Sequence, residues 1–216
     1  PVKPRYRIED KKARRALRVA RDEGAEIGLH GSYYCLERPG LLESEQAALR
    51  AAAREPRGFR QHYLRVPLGS LSWLERAGFR YDSSLGWPDA PGFRNGTAHP
   101  FQPFDLQERR ALRLVEIPLA VMDRTLEKYL GLDAELAWSK VLRVLSAVRE
   151  VGGCAAVLWH PEFFDAARHP GYAALYERIL RWLLEAGGHA RTGKEVARAW
   201  NGANEPPAGP QADPHP

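Results

Sequence analysis

Cysteine is scarce in this chain: Cys35 and Cys154 are the only two among 216 residues. Two thiols cannot build the disulfide framework of a small secreted scaffold, and they fit no zinc-binding spacing. Free thiols are the expectation, with a single Cys35–Cys154 bridge as the alternative. No apolar run approaches the ~20 residues of a membrane span. The opening Pro1-Val2-Lys3-Pro4-Arg5 has neither an initiator Met nor the apolar core of a signal peptide. It leads straight into a helix, so a fragment or a processed product is expected. Internal repeats are lacking too. Ser32 has no nucleophile elbow around it, which excludes a serine hydrolase of that design.

What is present is ordinary for a globular protein, with 44% hydrophobic and 27% charged residues. The net charge of +5 arises from 32 basic and 27 acidic side chains. Residues 1–24 hold nine basic and four acidic groups, which is the whole excess. A nucleic-acid surface spreads its cations along a groove-facing element with polar or aromatic interleaving. Confinement to one helix and its lead-in reads instead as a solvated face, so no nucleic-acid partner is expected.

Helical and strand-like segments alternate along the chain. Asp10 is placed to cap a helix reaching about Glu23, followed by a strand over 25–30. Helices are expected over 43–54 and 68–77, with extended pieces at 58–63 and 79–82 between and after them. Residues 83–110 form a long connection rich in Gly, Pro and aromatics, more often functional than idle at that length. A strand at 114–117 ends at Pro118. Asp133 caps the longest helix, through about Val151, and the Cys154–Trp159 strand follows. A helix over 172–186 and a shorter one opened by the capping box Thr192–Glu195 complete the ordered part. From Asn201 onward the composition is that of a disordered tail. Such alternation argues for an α/β fold with a parallel sheet, and five strands fall short of a closed eight-unit barrel.

Three strands end alike: Ile27-Gly28-Leu29 runs into His30, Phe79-Arg80-Tyr81 into Asp82, and Val157-Leu158-Trp159 into His160. In a parallel sheet the carboxyl ends share one rim, so two imidazoles and a carboxylate would converge there. Such groups bind catalytic metals and transfer protons. A single strand-end histidine reads equally well as one satisfied by a loop carbonyl. Arg60 and His62, two apart on an extended chain, share one side. A fixed cation there would keep carboxylates ionised and oriented; a surface arginine beside a half-buried histidine is the plainer alternative. Trp87, Phe93, Phe101, Trp159, Phe163 and Phe164 could stack on sugar rings or fill the core.

The segments E-I-G-L-H-G-S-Y-Y (26–34), R-Q-H-Y (60–63), Y-D-S-S-L-G-W (81–87) and L-W-H (158–160) resemble, in order, motifs of the polysaccharide deacetylases. The resemblance spans about residues 24–200, with 1–23 as a basic lead-in and 201–216 as the tail. It implies a distorted or incomplete (β/α) barrel and a metal-dependent hydrolase removing N-acetyl groups from a glycan. It implies His160 as general acid, Asp82 tuning it, and Arg60 orienting the catalytic base. His30 would bind the divalent ion, with zinc expected. Trp87 would line the groove with Tyr63 and Trp159 beside it, and Leu158 would face the acetyl methyl. The chain also departs from the pattern. Tyr34 stands where the family has its second metal histidine, a role His62 is the candidate to fill. The opening aspartate pair, which supplies the base and a metal ligand, is missing, and Glu9-Asp10 is a poor substitute. A non-catalytic glycan-binding relative is therefore the alternative reading.

Overall fold

A computed structural model describes residues 7–53 and 55–204. Among them the strands are β1 (Leu29–Gly31), β2 (Gly58–Gln61), β3 (Tyr81–Asp82), β4 (Phe104–Asp105), β5 (Arg110–Ala111), β6 (Val115–Glu116), β7 (Leu119–Met122) and β8 (Ala156–Leu158). The helices are α1 (Lys11–Asp22), α2 (Pro39–Ala52), α3 (Leu71–Arg76), α4 (Ala134–Glu150), α5 (Tyr172–Glu185) and α6 (Gly193–Asn204). None of these helices is long and apolar enough to cross a membrane.

Four strands pair in parallel in the order β1-β2-β3-β6, and β7 pairs in parallel with β8. Helical crossovers are the only short way to connect parallel neighbours, and α2 and α3 serve here. Pro118, lacking an N–H, falls between β6 and β7 and divides the wall into two ladders. The described sheets do not close on themselves, so the architecture is a distorted, open (β/α) barrel. Closeness of the strands excludes side chains at points: a Cβ on Gly58 would lie 2.1 Å from the Tyr81 ring.

Each half of the wall has its own core. Leu29 and Phe59 pack against Leu42 and Leu49 of α2 and Leu74 of α3. Ala120 and Val121 of β7 pack against Val141 and Leu145 of α4 and Ile179 of α5. Burying one such Leu, Ile or Val is worth roughly 1.5–3 kcal/mol, which dominates helix propensity in holding α4 and α5 in place. Ala197 of α6 closes over Val115 and Ile117.

Several local expectations hold in detail. Asp133 accepts a hydrogen bond from Leu136 N at 2.8 Å, and Thr192 and Glu195 form their reciprocal box. Cys35 and Cys154 are free. Others need correcting. Asp10 does not cap α1; its carboxylate accepts from Arg7 N at 2.8 Å instead. The long connection carries the antiparallel β4–β5 hairpin at its end, and Phe101 bridges to Glu116. Residues 201–204 complete α6, and the rest of the expected tail lies outside the described residues.

Candidate active site

Parallel pairing of β1 and β2 sets His30 opposite Arg60 and Gly31 opposite Gln61, so His62 begins one step beyond the ladder, beside His30. The chain then turns sharply. Tyr63 and Leu64 both take the left-handed region, at φ 58° and 53°, which costs a residue with a Cβ about 1–2 kcal/mol. The turn brings His62 Nδ1 to 2.9 Å from His30 Nε2, with the rings edge to face, and leaves Tyr63 50% exposed. The Gln61 amide holds the loop after β1 by donating to the Ser32 and Tyr33 carbonyls at 2.7 and 3.2 Å.

Both imidazoles are driven toward the neutral form. Burial, then the charges of His62, Arg60 and His160, lower the pKa of His30 to about 4. His30 is nonetheless exposed to solvent, which screens part of the effect. Burial, then His160 and Arg124, lower that of His62. Between two neutral rings at that distance, one nitrogen donates its hydrogen to the lone pair of the other, the tautomers deciding which. The unfolded chain takes up a proton near the ordinary histidine value of 6.5, well before folded His30 does. The pair's share of stability is therefore complete above pH 6.5 and is lost as pH falls toward about 4. A His30→Asn variant is expected to show a flatter melting-temperature profile across that window in thermal scans.

Behind the histidines, β2, β3 and β6 present a buried polar layer. The Arg60 guanidinium donates to the Ser83 carbonyl and to Ser83 Oγ, each at 2.8 Å. Asp82 accepts from Ser84 Oγ at 2.6 Å and from Ser84 N at 3.1 Å. Ser84 Oγ in turn accepts from Gln61 N at 2.8 Å. Register places Glu116 opposite Asp82, and both are fully buried. Glu116 Oε1 accepts from Leu85 N at 2.9 Å. Burial and the Asp82 charge push the Glu116 carboxyl well up; burial raises Asp82, opposed by hydrogen bonds from Glu116 and Ser84 and by Arg60. Both carboxyls are thus pushed toward the protonated form, Glu116 the more strongly.

His160 follows β8, and its carboxylate partner is Asp123 at the end of β7. The expectation that Asp82 neighbours His160 is corrected here. Asp123 Oδ1 accepts from His160 Nδ1 at 2.7 Å and from Arg124 N at 2.5 Å, and Oδ2 accepts from His160 N. Asp123 is 0% exposed, whereas the His160 side chain is 33% exposed. Nδ1 being engaged, Nε2 is the nitrogen left for chemistry. Arg124 pairs with Glu162 across the same strand ends.

A cavity of about 800 Å³ opens beside His62, lined by Tyr33, Tyr34, Tyr63, Leu64, Arg65, Trp87, Pro88, Asp89 and Arg94. Tyr63 and Trp87 are thus where a substrate could meet them. Trp159 is not: its ring lies 5.3 Å from Tyr176 and 6.0 Å from Tyr172, packed on the α4–α5 core. Leu158 packs with Leu64, Leu119 and Met122 and does not line this cavity. Among the described residues no group of three or more His, Cys, Asp or Glu side chains is placed to hold a metal ion.

The fold thus gathers polar groups on the carboxyl rim of a parallel wall. No protein-family profile matches the chain. A peptidoglycan deacetylase-like protein of Gibberella zeae is 33% identical to it, over 45% of this chain and 34% of that protein. A structure from Mycobacterium smegmatis, described as a polysaccharide deacetylase, superposes with a TM-score of 0.69 at 21% identity, covering 89% of this chain and 68% of its own. A second structure so described, from Pseudomonas aeruginosa PAO1, gives 0.63 at 15% identity, covering 90% and 65%. Puue allantoinase gives 0.62 at 12% identity, also covering 90% and 65%. The chain shares the fold of these structures and is similar in sequence, over 45% of its length, to the deacetylase-like protein; it spans about a third of the length of that curated relative.

Proposed function

We propose that this site belongs to a metal-dependent hydrolase that removes N-acetyl groups from a glycan. The observation that carries the reading is the pair of neutral imidazoles, His30 Nε2 and His62 Nδ1 at 2.9 Å, on a rim shared with the His160–Asp123 pair. Neutral imidazole is the donor class that zinc takes, at Zn–N distances of roughly 2.0–2.1 Å. His30 and His62, whose ring nitrogens lie 2.9 Å apart, would hold the ion. When bound, the ion would polarise the acetyl carbonyl and activate water.

The remaining steps belong to the chain. Asp123 fixes the His160 ring through Nδ1, and His160 Nε2 would give its proton to the leaving amine as the C–N bond breaks. Arg60, held by Ser83, sets a positive charge near Asp82 beneath the rim and opposes the upward push of burial on that carboxyl. Tyr63 and Trp87 would flank the sugar. The test is equilibrium dialysis against zinc with the purified chain, followed by acetate release from an N-acetylated oligosaccharide. The expected outcome is zinc uptake that His30→Ala and His62→Ala each weaken, roughly 10-fold or more, and acetate that appears only with metal. Wild-type protein that takes up no zinc would refute the reading.

The lack of a third ligand among the described residues favours a second reading, a glycan-binding relative without turnover. Glycan binding with no acetate release in the presence of metal would select it.

A further inference from the structure

We infer that the cavity beside the histidine pair takes a sugar bearing an acidic substituent, and that Arg94 is the residue that reads the charge. The inference rests on the glycan reading above and narrows it to a substrate class.

The cavity's volume, about 800 Å³, is that of a small-ligand site. Its walls are aromatic planes of the kind that pack on a pyranose ring, with Tyr63 50% and Trp87 45% exposed. Tyr63 stands outward because the backbone at 63 and 64 is held in a conformation that neither residue favours. Strain of this sort survives only where surrounding structure enforces it, and it gathers at binding sites. The same turn directs the Leu64 carbonyl to Arg94, which donates to it at 3.4 Å. Strained turn, aromatic wall and arginine are therefore one unit.

Charge decides what kind of sugar fits. Arg65 is spent: it pairs with Glu37 and lies over the Tyr33 ring, 4.8 Å from its centroid. Arg94 is not. It lies over Trp87, 5.4 Å from the centroid, and its one hydrogen-bond partner among the described residues is the neutral Leu64 carbonyl. A guanidinium stacked by its face keeps its edge free, and that edge matches the two oxygens of a carboxylate or phosphate. Asp89, the carboxylate in the lining, forms an ion pair with neither arginine. It adds a negative charge to the same lining, which opposes an anion there.

The test compares three sugars that share one N-acetylated core: N-acetylglucosamine, its 6-phosphate, and N-acetylmuramic acid, whose lactyl ether carries a carboxylate. Binding is measured by titration calorimetry with the whole chain at low and high salt, with inorganic phosphate alone as a further arm. At low salt one or both acidic sugars should bind about tenfold tighter than the neutral one, and the one that does identifies the anion. High salt should shrink the ratio. Arg94→Gln should bring it to about one, Arg94→Lys should restore part of it, and Asp89→Asn should raise it. Equal affinities for all three sugars would overturn the inference and leave the glycan reading standing. So would Arg94→Gln weakening all three alike, since Arg94 would then merely support Trp87. Inorganic phosphate binding as tightly as the sugar phosphate would overturn it as well. Failure of every sugar to bind would remove both readings.

Discussion

Replacing Asp123 with alanine is expected to cost about 3 kcal/mol of stability and, if the site is a hydrolase, a factor of 10² to 10⁴ in turnover. The carboxylate accepts from His160 N, His160 Nδ1 and Arg124 N while wholly buried. Alanine leaves those donors facing an apolar gap, and an unpaired buried donor costs roughly 1–3 kcal/mol. Asparagine is no remedy. Its oxygen can satisfy one side, but its amide then turns two hydrogens toward a site built of donors. His160→Ala separates the two effects, because its side chain is 33% exposed and leaves a smaller hole. That variant should stay within about 1 kcal/mol of wild type while losing the same turnover. Urea melts alongside acetate release decide the matter. If Asp123→Ala kept both stability and activity, the clamp at the ends of β7 and β8 would have no role.

Asp123 also shows where reading the sequence stops. The strand-end residues His30, Asp82 and His160 were legible because each follows a short apolar or aromatic run and precedes a breaker or small polar residue. Leu119–Met122 followed by Asp123 has the same form, but Pro118 reads as the end of structure. In the fold that proline only separates one ladder from the next. Losing β7 meant losing its carboxylate, and His160 was then assigned Asp82 as its neighbour. Glu116 was missed differently. Its strand was read, yet which face it presents depends on pairing with β3, a contact across 34 residues that no local pattern encodes. The His62 position is intermediate. The resemblance suggested that it could supply a second imidazole, but the left-handed turn at Tyr63–Leu64 that aims it carries no glycine to announce it. Trp159 misled for a simpler reason: alternation along β8 turns its ring from the rim toward the α4–α5 core.

The buried carboxyl pair yields the other large effect. Asp82→Ala is expected to destabilise the protein by roughly 1–3 kcal/mol, because Ser84 N and Ser84 Oγ would lose their buried acceptor. Glu116→Gln should behave quite differently. The folded Glu116 carboxyl is pushed well above the ordinary range by burial and the Asp82 charge, so glutamine imitates its protonated form. The sign of the pH effect follows. A group whose folded pKa is raised contributes stability that is complete below the unfolded value of about 4.3 and is lost as pH rises toward the folded one. Glutamine carries no such dependence. The difference in melting temperature, Glu116→Gln minus wild type, should therefore become more positive between pH 5 and pH 8, while Glu116→Ala loses stability throughout. A difference that stayed flat or turned negative as pH rose would mean that Glu116 is ionised in the folded protein.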